Sequence, residues 1–219
     1  MLPVTLSQDN PLKSEIKEEI IEEKAWLIHD FISENDCKSL IEASEEHLNY
    51  ESVFIKNRHV HRHCYRAKFE DERLTKWIFS KVKPILPEYN PSWLGNIESE
   101  EFHQKYKYIP VGCYSIPSFV KYTKSRHQFE KHYDYSIHND DLRSFLTLMI
   151  YLNSSFKGGN TNFLDSNTEE ITHSIEPQPG LAIMFLQDKH NNLLHEGERT
   201  SDGTKYILRF EIMYKMIEK

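Results

Sequence analysis

The sequence predicts an α+β chain in which helices and strands come first and a jelly roll of roughly eight antiparallel strands follows. Three observations carry that prediction. Stretches with helical spacing of apolar residues lie ahead of residue 87. From residue 119 onward the runs FVKY, HQFEKHYDYS, RSFLTLMIYLN, NTNFL, ITHSIEP, LAIMFL, NLLH and KYILRFEIMYK succeed one another, parted by Gly, Asn, Asp, Ser and Pro clusters with no helical period between them. Hydrophobic residues are 38% of the 219 and aromatic ones 12%, enough to fill a core of ordinary domain size.

Residues 1–11 are polar and punctuated by proline, and carry no element. Leu12, Ile16 and Ile20 fall at i, i+4 and i+8, one apolar stripe on an acidic helix over residues 12–24. Such a helix packs on the domain edge, or docks a partner. AWLIHDFI, residues 25–32, reads as a strand. Ser33 then stands where an N-cap would, Asp36 follows three residues on, and CKSLIEASEEHL continues as a helix. Residues 53–69 look extended. Leu74, Trp77, Ile78 and Val82 mark a helix within residues 70–86, which Pro84 ends or bends. Residues 87–118, rich in proline, tyrosine and tryptophan, read as a long irregular insert. No linker divides the halves. Residues 25–219 are therefore expected to form one domain behind an acidic tail or helix at 1–24, with the strand core at 119–215.

Composition removes several function classes. The net charge of −7 argues against a broad nucleic-acid footprint. No run approaches the roughly 20 apolar residues of a membrane helix, and no secretory h-region is visible. Three scattered cysteines (Cys37, Cys64, Cys113) fit reduced thiols in a cytoplasmic or nuclear protein better than a disulfide framework. No phosphate-binding loop, dinucleotide fingerprint or nucleophile elbow occurs.

The chemistry gathers around His132-Tyr133-Asp134, His195 and Lys205. On a strand, residues i and i+2 share a face, so His132 and Asp134 can reach one ion together. His195, from a distant strand, would complete a 2-His-1-carboxylate facial triad, the donor set of non-haem Fe(II) oxygenases. H-x-D alone is weak: with 12 histidines, chance supplies it about once in every two such chains. A second copy, His138-Asn139-Asp140, lies in a loop-like composition that is poor at fixing two ligands. The alternating His59, His61 and His63 of RHVHRHC could bind zinc, but no second ligand cluster follows at zinc-site spacing, and a solvated basic strand is the simpler reading. In that reading Arg58, Arg62 and Arg66 could border a site mouth and hold a carboxylate-bearing substrate.

The pieces FVKY, FEKHYD, SFLTLMIYLN, FKGGNTNFL, IEPQPGLAIMF and LLHEGERTSDGTKYILRFEIMY are similar, in order and spacing, to the prolyl-4-hydroxylase-like branch of the iron(II)/2-oxoglutarate-dependent dioxygenases. WLIHDFISENDCKSLI resembles the amino-terminal strand and helix of that branch. The resemblance implies a double-stranded β-helix (jelly-roll, cupin-like) core with supporting N-terminal helices. It also implies Fe(II) on His132, Asp134 and His195, the catalytic triad, with 2-oxoglutarate and O₂ as cosubstrates and ascorbate as a reductant. Lys205 would meet the distal carboxylate of 2-oxoglutarate, Tyr122 and Tyr151 would donate hydroxyls to it, and Thr147 and Met149 would line the same pocket. Arg209, on the strand face of Lys205, is a competing anchor for a carboxylate, or else a rim arginine paired with Glu211 or Asp165. Many relatives carry arginine where this chain has Lys205, which offers a point charge in place of a bidentate fork. The implied reaction couples oxidative decarboxylation of 2-oxoglutarate, to succinate and CO₂, with hydroxylation of a substrate C–H bond. The substrate expected is a prolyl residue of a protein or peptide, with another side chain, an amino acid or a small molecule as the alternative. From a different class, a catalytically silent jelly-roll binding module would have no need of the four polar residues.

Overall fold

The structure, a computed structural model, describes residues 1–7, 17–56, 61–123 and 127–219, with the backbone alone described at 56 and 61. The elements run β1 (Lys17–Ile21), β2 (Ala25–Ile28), α1 (Glu34–His47), β3 (Glu51–Lys56), β4 (His61–Lys68), α2 (Glu72–Val82), α3 (Glu100–Lys105) and β5 (Tyr106–Cys113). They continue with β6 (Ser118–Thr123), β7 (Gln128–His132), β8 (His138–Asn139), β9 (Leu142–Tyr151), β10 (Phe156–Gly158), β11 (Thr161–Leu164) and β12 (Ile171–Ile175). The last strands are β13 (Ala182–Leu186), β14 (Leu194–Gly197) and β15 (Thr200–Glu218).

All the strand pairings are antiparallel. Their order β1-β2-β13-β9-β15-β6-β4-β7-β14-β11-β12 curls into a nearly closed jelly roll. Strand β4 turns the corner. Its later residues pair with β6, while Arg62 and His63 pair with Phe129 and Gln128 of β7. Strand β15 is the spine, bonded to β9, β6, β5 and β10. Its residues Ile207, Leu208, Phe210 and Ile212 are buried with Phe145, Leu146, Leu148 and Ile150 of β9, and this apolar layer ties the two strands together.

Helix α1 begins at Ser33, whose hydroxyl accepts the Asp36 amide at 3.1 Å, and it buries Cys37 and Leu40 against the sheet. Helix α2 begins at Asp71, which accepts from the Leu74 amide, and ends where Pro84 enters a 3-10 turn over Lys83–Ile85.

Two expectations change. The acidic helix over 12–24 is not formed at 17–21, which pair as β1 with β2; its first residues, Leu12 and Ile16, lie outside the described residues. Ile20 and Ile21 pack on the core from that strand, so pairing with a buried neighbour overrides the helical stripe. The irregular insert at 87–118 ends in regular structure: β5 runs along β15 at the sheet edge, with half-buried Tyr106, Tyr108 and Pro110 alternating with exposed Lys107, Ile109 and Val111. Pro110 is tolerated there because β5 pairs on one side only, and the register slips next to it. All three cysteines are free thiols. Among the described residues no helix is long and apolar enough to cross a membrane.

Candidate active site

The topology brings the metal-ligand candidates together. His195 on β14 is the direct cross-strand partner of His132 on β7, and their rings stand 4.2 Å apart between centroids. Asp134 follows two residues after β7 ends. The His132 Nε2 atom lies 3.7 Å from Asp134 Oδ1, and one candidate ligand atom from each of the three residues falls within 4.8 Å of the others. Among the described residues this is the one group of His, Cys, Asp and Glu side chains placed to share an ion. His138, of the second H-x-D, is exposed on the short strand β8. Of the RHVHRHC run, Arg58 and His59 lie outside the described residues, while His63 makes ring contacts with Phe54 and His127.

Both imidazoles are oriented from behind. His132 Nδ1 donates to the Glu130 carbonyl at 2.7 Å, and His195 Nδ1 donates to the Leu193 carbonyl at 3.0 Å. Each ring therefore keeps its proton on Nδ1 and turns the Nε2 lone pair inward, the tautomer a metal requires. Burial lowers the pKa of both rings, that of His132 far below the usual range, so both stay neutral. Phe129 stacks on His132 with ring centroids 3.4 Å apart and limits its rotation. For Asp134, burial acts to raise the pKa, but the Arg209 guanidinium and the Thr147 hydroxyl act against it, and the carboxylate stays ionised, below the usual range. Two neutral imidazoles and one carboxylate are a fitting donor set for Fe(II).

The cavity beside this group, about 50 Å³ of space that a water could enter, is lined by Tyr122, Thr147, Met149, Thr161, Lys205, Ile207 and Arg209, among others. Lys205, opposite Tyr122 in the β15–β6 register, is 3% exposed. Its Nζ donates to the Gly159 carbonyl at 2.5 Å and stands 5.2 and 5.7 Å from the Tyr151 and Tyr122 ring centroids. No carboxylate of the described residues forms an ion pair with it, and burial pushes its pKa down to about 7. Gly159, at φ +75°, makes the space: a Cβ there would meet Lys205 Cδ at 3.3 Å and Thr200 Oγ1 at 3.2 Å. Thr200 Oγ1 is buried with no hydrogen-bond partner. Among the described residues Lys205 is thus a buried cation with no anionic partner, a chemistry that suits a carboxylate ligand.

The other expected residues divide. Tyr122 faces the cavity. The Tyr151 hydroxyl is 2.7 Å from Thr161 Oγ1, so Thr161 stands between that tyrosine and the cavity wall. Arg209 is already engaged, 3.0 Å from Asp134 Oδ2 and 3.3 Å from Glu211. Arg62 lines the cavity over Phe129, with its guanidinium 4.5 Å from the ring centroid. Sequence reasoning passes over Phe129, Thr161, Thr200 and Gln187. Phe129 is the one with a local signal, three residues ahead of His132.

Fold and cavity together define a jelly-roll protein with a candidate mononuclear metal site and a buried cation. Residues 117–211 match the model of the 2OG-Fe(II) oxygenase superfamily, so the jelly-roll core carries a 2OG-Fe(II) oxygenase domain, whose chemistry uses iron(II), 2-oxoglutarate and O₂. Three solved structures have the same fold. A viral collagen prolyl hydroxylase from Paramecium bursaria Chlorella virus-1, in its 2OG complex, shares 20% identity over 88% of this chain and 97% of its own, with a TM-score of 0.54. A Pseudomonas putida prolyl-4-hydroxylase shares 14% over 86% and 91%, at 0.54. A Trichoplax adhaerens prolyl hydroxylase, in complex with a hypoxia inducible factor peptide fragment, shares 18% over 87% and 84%, at 0.59. No curated protein matches the chain significantly by sequence.

Proposed function

We propose that this oxygenase hydroxylates a C–H bond of a prolyl residue in a protein or peptide, with His132, Asp134 and His195 holding Fe(II) and Lys205 anchoring 2-oxoglutarate. The observation that carries the reading is the meeting of the three neutral-or-anionic donors with one buried, unpaired lysine in a single cavity. Bound iron with 2-oxoglutarate supplies the oxidising chemistry, which activates O₂ as the keto acid is decarboxylated to succinate and CO₂. The chain's own residues do the rest. The Glu130 and Leu193 carbonyls aim the imidazoles, and Lys205 with Tyr122 and Thr200 receives the distal carboxylate. Arg209 and Thr147 neutralise the far oxygen of Asp134, and Val120, Met149, Phe185 and Ile207 keep the cavity walls apolar. Arg62, buried at the cavity, offers its guanidinium to a substrate carbonyl or carboxylate. A peptide rather than a small molecule is favoured by the prolyl hydroxylase folds above, one of them carrying a peptide.

The test is succinate formation from 2-oxoglutarate with Fe(II) and O₂, with candidate peptides screened by mass spectrometry for the gain of one oxygen atom. The reading predicts turnover that His132→Ala abolishes and a mass gain on proline. Iron-independent turnover, or none in any condition, contradicts the enzyme; a mass gain confined to free amino acids or metabolites contradicts the peptide substrate.

A further inference from the structure

A chain of hydrogen bonds leads from a backbone amide to the side of Asp134 that faces away from His132. The Ile137 N–H donates to Ser144 Oγ at 2.8 Å. Ser144 Oγ donates to Gln187 Oε1 at 2.6 Å, Gln187 Nε2 donates to Thr147 Oγ1 at 3.1 Å, and Thr147 Oγ1 donates to Asp134 Oδ2 at 2.7 Å. All three relay side chains are buried.

The direction of this chain is forced. The ionised Asp134 carboxylate can only accept, so Thr147 spends its one hydrogen there and accepts from Gln187. That fixes the Gln187 amide with nitrogen toward Thr147 and oxygen toward Ser144, which donates to it while accepting the Ile137 N–H. Arg209 reaches the same Oδ2 from β15 at 3.0 Å, so two donors converge on one oxygen while Oδ1 faces the His132 imidazole.

The turn after β13 is built to deliver Gln187. Its neighbour Asp188 holds φ +70°, a region non-glycine residues avoid. The Asp188 amide donates to the Asp134 carbonyl at 2.7 Å, its Oδ1 accepts the Ser136 amide at 3.1 Å, and its Oδ2 accepts from Arg143 at 2.9 Å. One turn thus grips the backbone of the HYD segment with Asp188 and reaches its carboxylate from Gln187 through Thr147.

We propose that Gln187 is a positioning residue: through Thr147, and together with Arg209, it commits Asp134 to binding the metal through Oδ1 alone, which keeps a coordination position open. This rests on the iron site proposed above. Outer partners of metal ligands are worth about 10–100-fold in metal affinity or activity.

The experiment measures anaerobic Fe(II) affinity of the full chain with 2-oxoglutarate present, together with the visible charge-transfer absorption of that complex. Thr147→Val is expected to weaken Fe(II) by about 10–100-fold, while Thr147→Ser, which keeps the hydroxyl, retains wild-type affinity. Gln187→Met is expected to weaken Fe(II) by less and to shift the absorption band. The double variant Thr147→Val, Gln187→Met should be no weaker than Thr147→Val alone, because the two residues act in series; independent structural effects would multiply. Unchanged affinity and band in Gln187→Met, or multiplicative losses in the double variant, overturn the proposal. Should Gln187→Met fail to fold, equal Fe(II) affinity of Thr147→Val and Thr147→Ser overturns it, and a loss confined to the valine supports it. A wild-type chain that binds no Fe(II) removes the iron site and this proposal together, whereas normal wild-type binding with insensitive variants removes this proposal alone.

Discussion

The two ends of the cavity are built on opposite plans. At the His132–Asp134–His195 end each of the three candidate ligands has a partner that aims it: two backbone carbonyls hold the imidazoles, and Thr147 and Arg209 hold the carboxylate. At the Lys205 end a buried cation has one carbonyl and two aromatic rings but no anion, and a buried threonine hydroxyl has nothing at all. Ligand groups that must meet a metal in fixed geometry gain from orientation in advance. A group that must receive a diffusible dicarboxylate has to keep its pairing capacity for the ligand, and pays by desolvation until it arrives.

The largest effects should come from the oriented end. His132→Ala or His195→Ala is expected to lower 2-oxoglutarate turnover by at least about 100-fold, more than an outer partner is worth, as read by succinate formation. Comparable turnover in these variants would break the contrast at once.

Next in size is Lys205→Met, which should act with opposite signs on two properties. Losing a charge-assisted pair of about 1.5–3 kcal/mol should weaken 2-oxoglutarate by roughly 10–100-fold. Without ligand, exchanging a desolvated cation for an apolar chain of similar length should leave the melting temperature unchanged or raise it. A fall in both would mean that the lysine is a structural strut.

The same lysine predicts a pH dependence. Its pKa is 10.5 in the unfolded chain and about 7 in the fold. Between those values the unfolded chain binds more protons, so the stability contributed by this group is lowest below pH 7 and rises as pH climbs toward 10.5. Pairing with a carboxylate needs the protonated amine, so 2-oxoglutarate affinity should fall above pH 7, by up to about tenfold per unit. Calorimetric titration across that range checks it, and a flat profile would place the lysine's proton outside the binding event. The smallest effect is a control outside the cavity. Ser33→Ala, which removes the cap of α1, should cost about 1 kcal/mol of stability and leave Fe(II) and 2-oxoglutarate binding untouched.

How legible this was follows the range of the interactions. The N-cap at Ser33, the helix stopped near Pro84 and the strands after 119 rest on local spacing and could be read directly. His132 and Asp134 stand out in the sequence because H-x-D on a strand is a chemical pattern, whereas Lys205 is singled out only by the family resemblance, since electrostatics alone would accept Lys205 or Arg209. The strand at 17–21 was not, since its residues fit a helix until β2 offers them a ladder. The strand at 106–113 was hidden by Pro110, although its alternation was present. Gln187 carried no signal: its partner Ser144 is 43 positions away, and only the β13–β9 register brings the two together.

The most direct test of the account is anaerobic titration of Fe(II) into the chain with 2-oxoglutarate present, followed by visible absorption and by metal analysis after dialysis. The account predicts one retained iron per chain with a charge-transfer band in the wild type, and loss of both in His195→Ala. Absence of the band in the wild type, or a band and retained iron that survive His195→Ala, would contradict it.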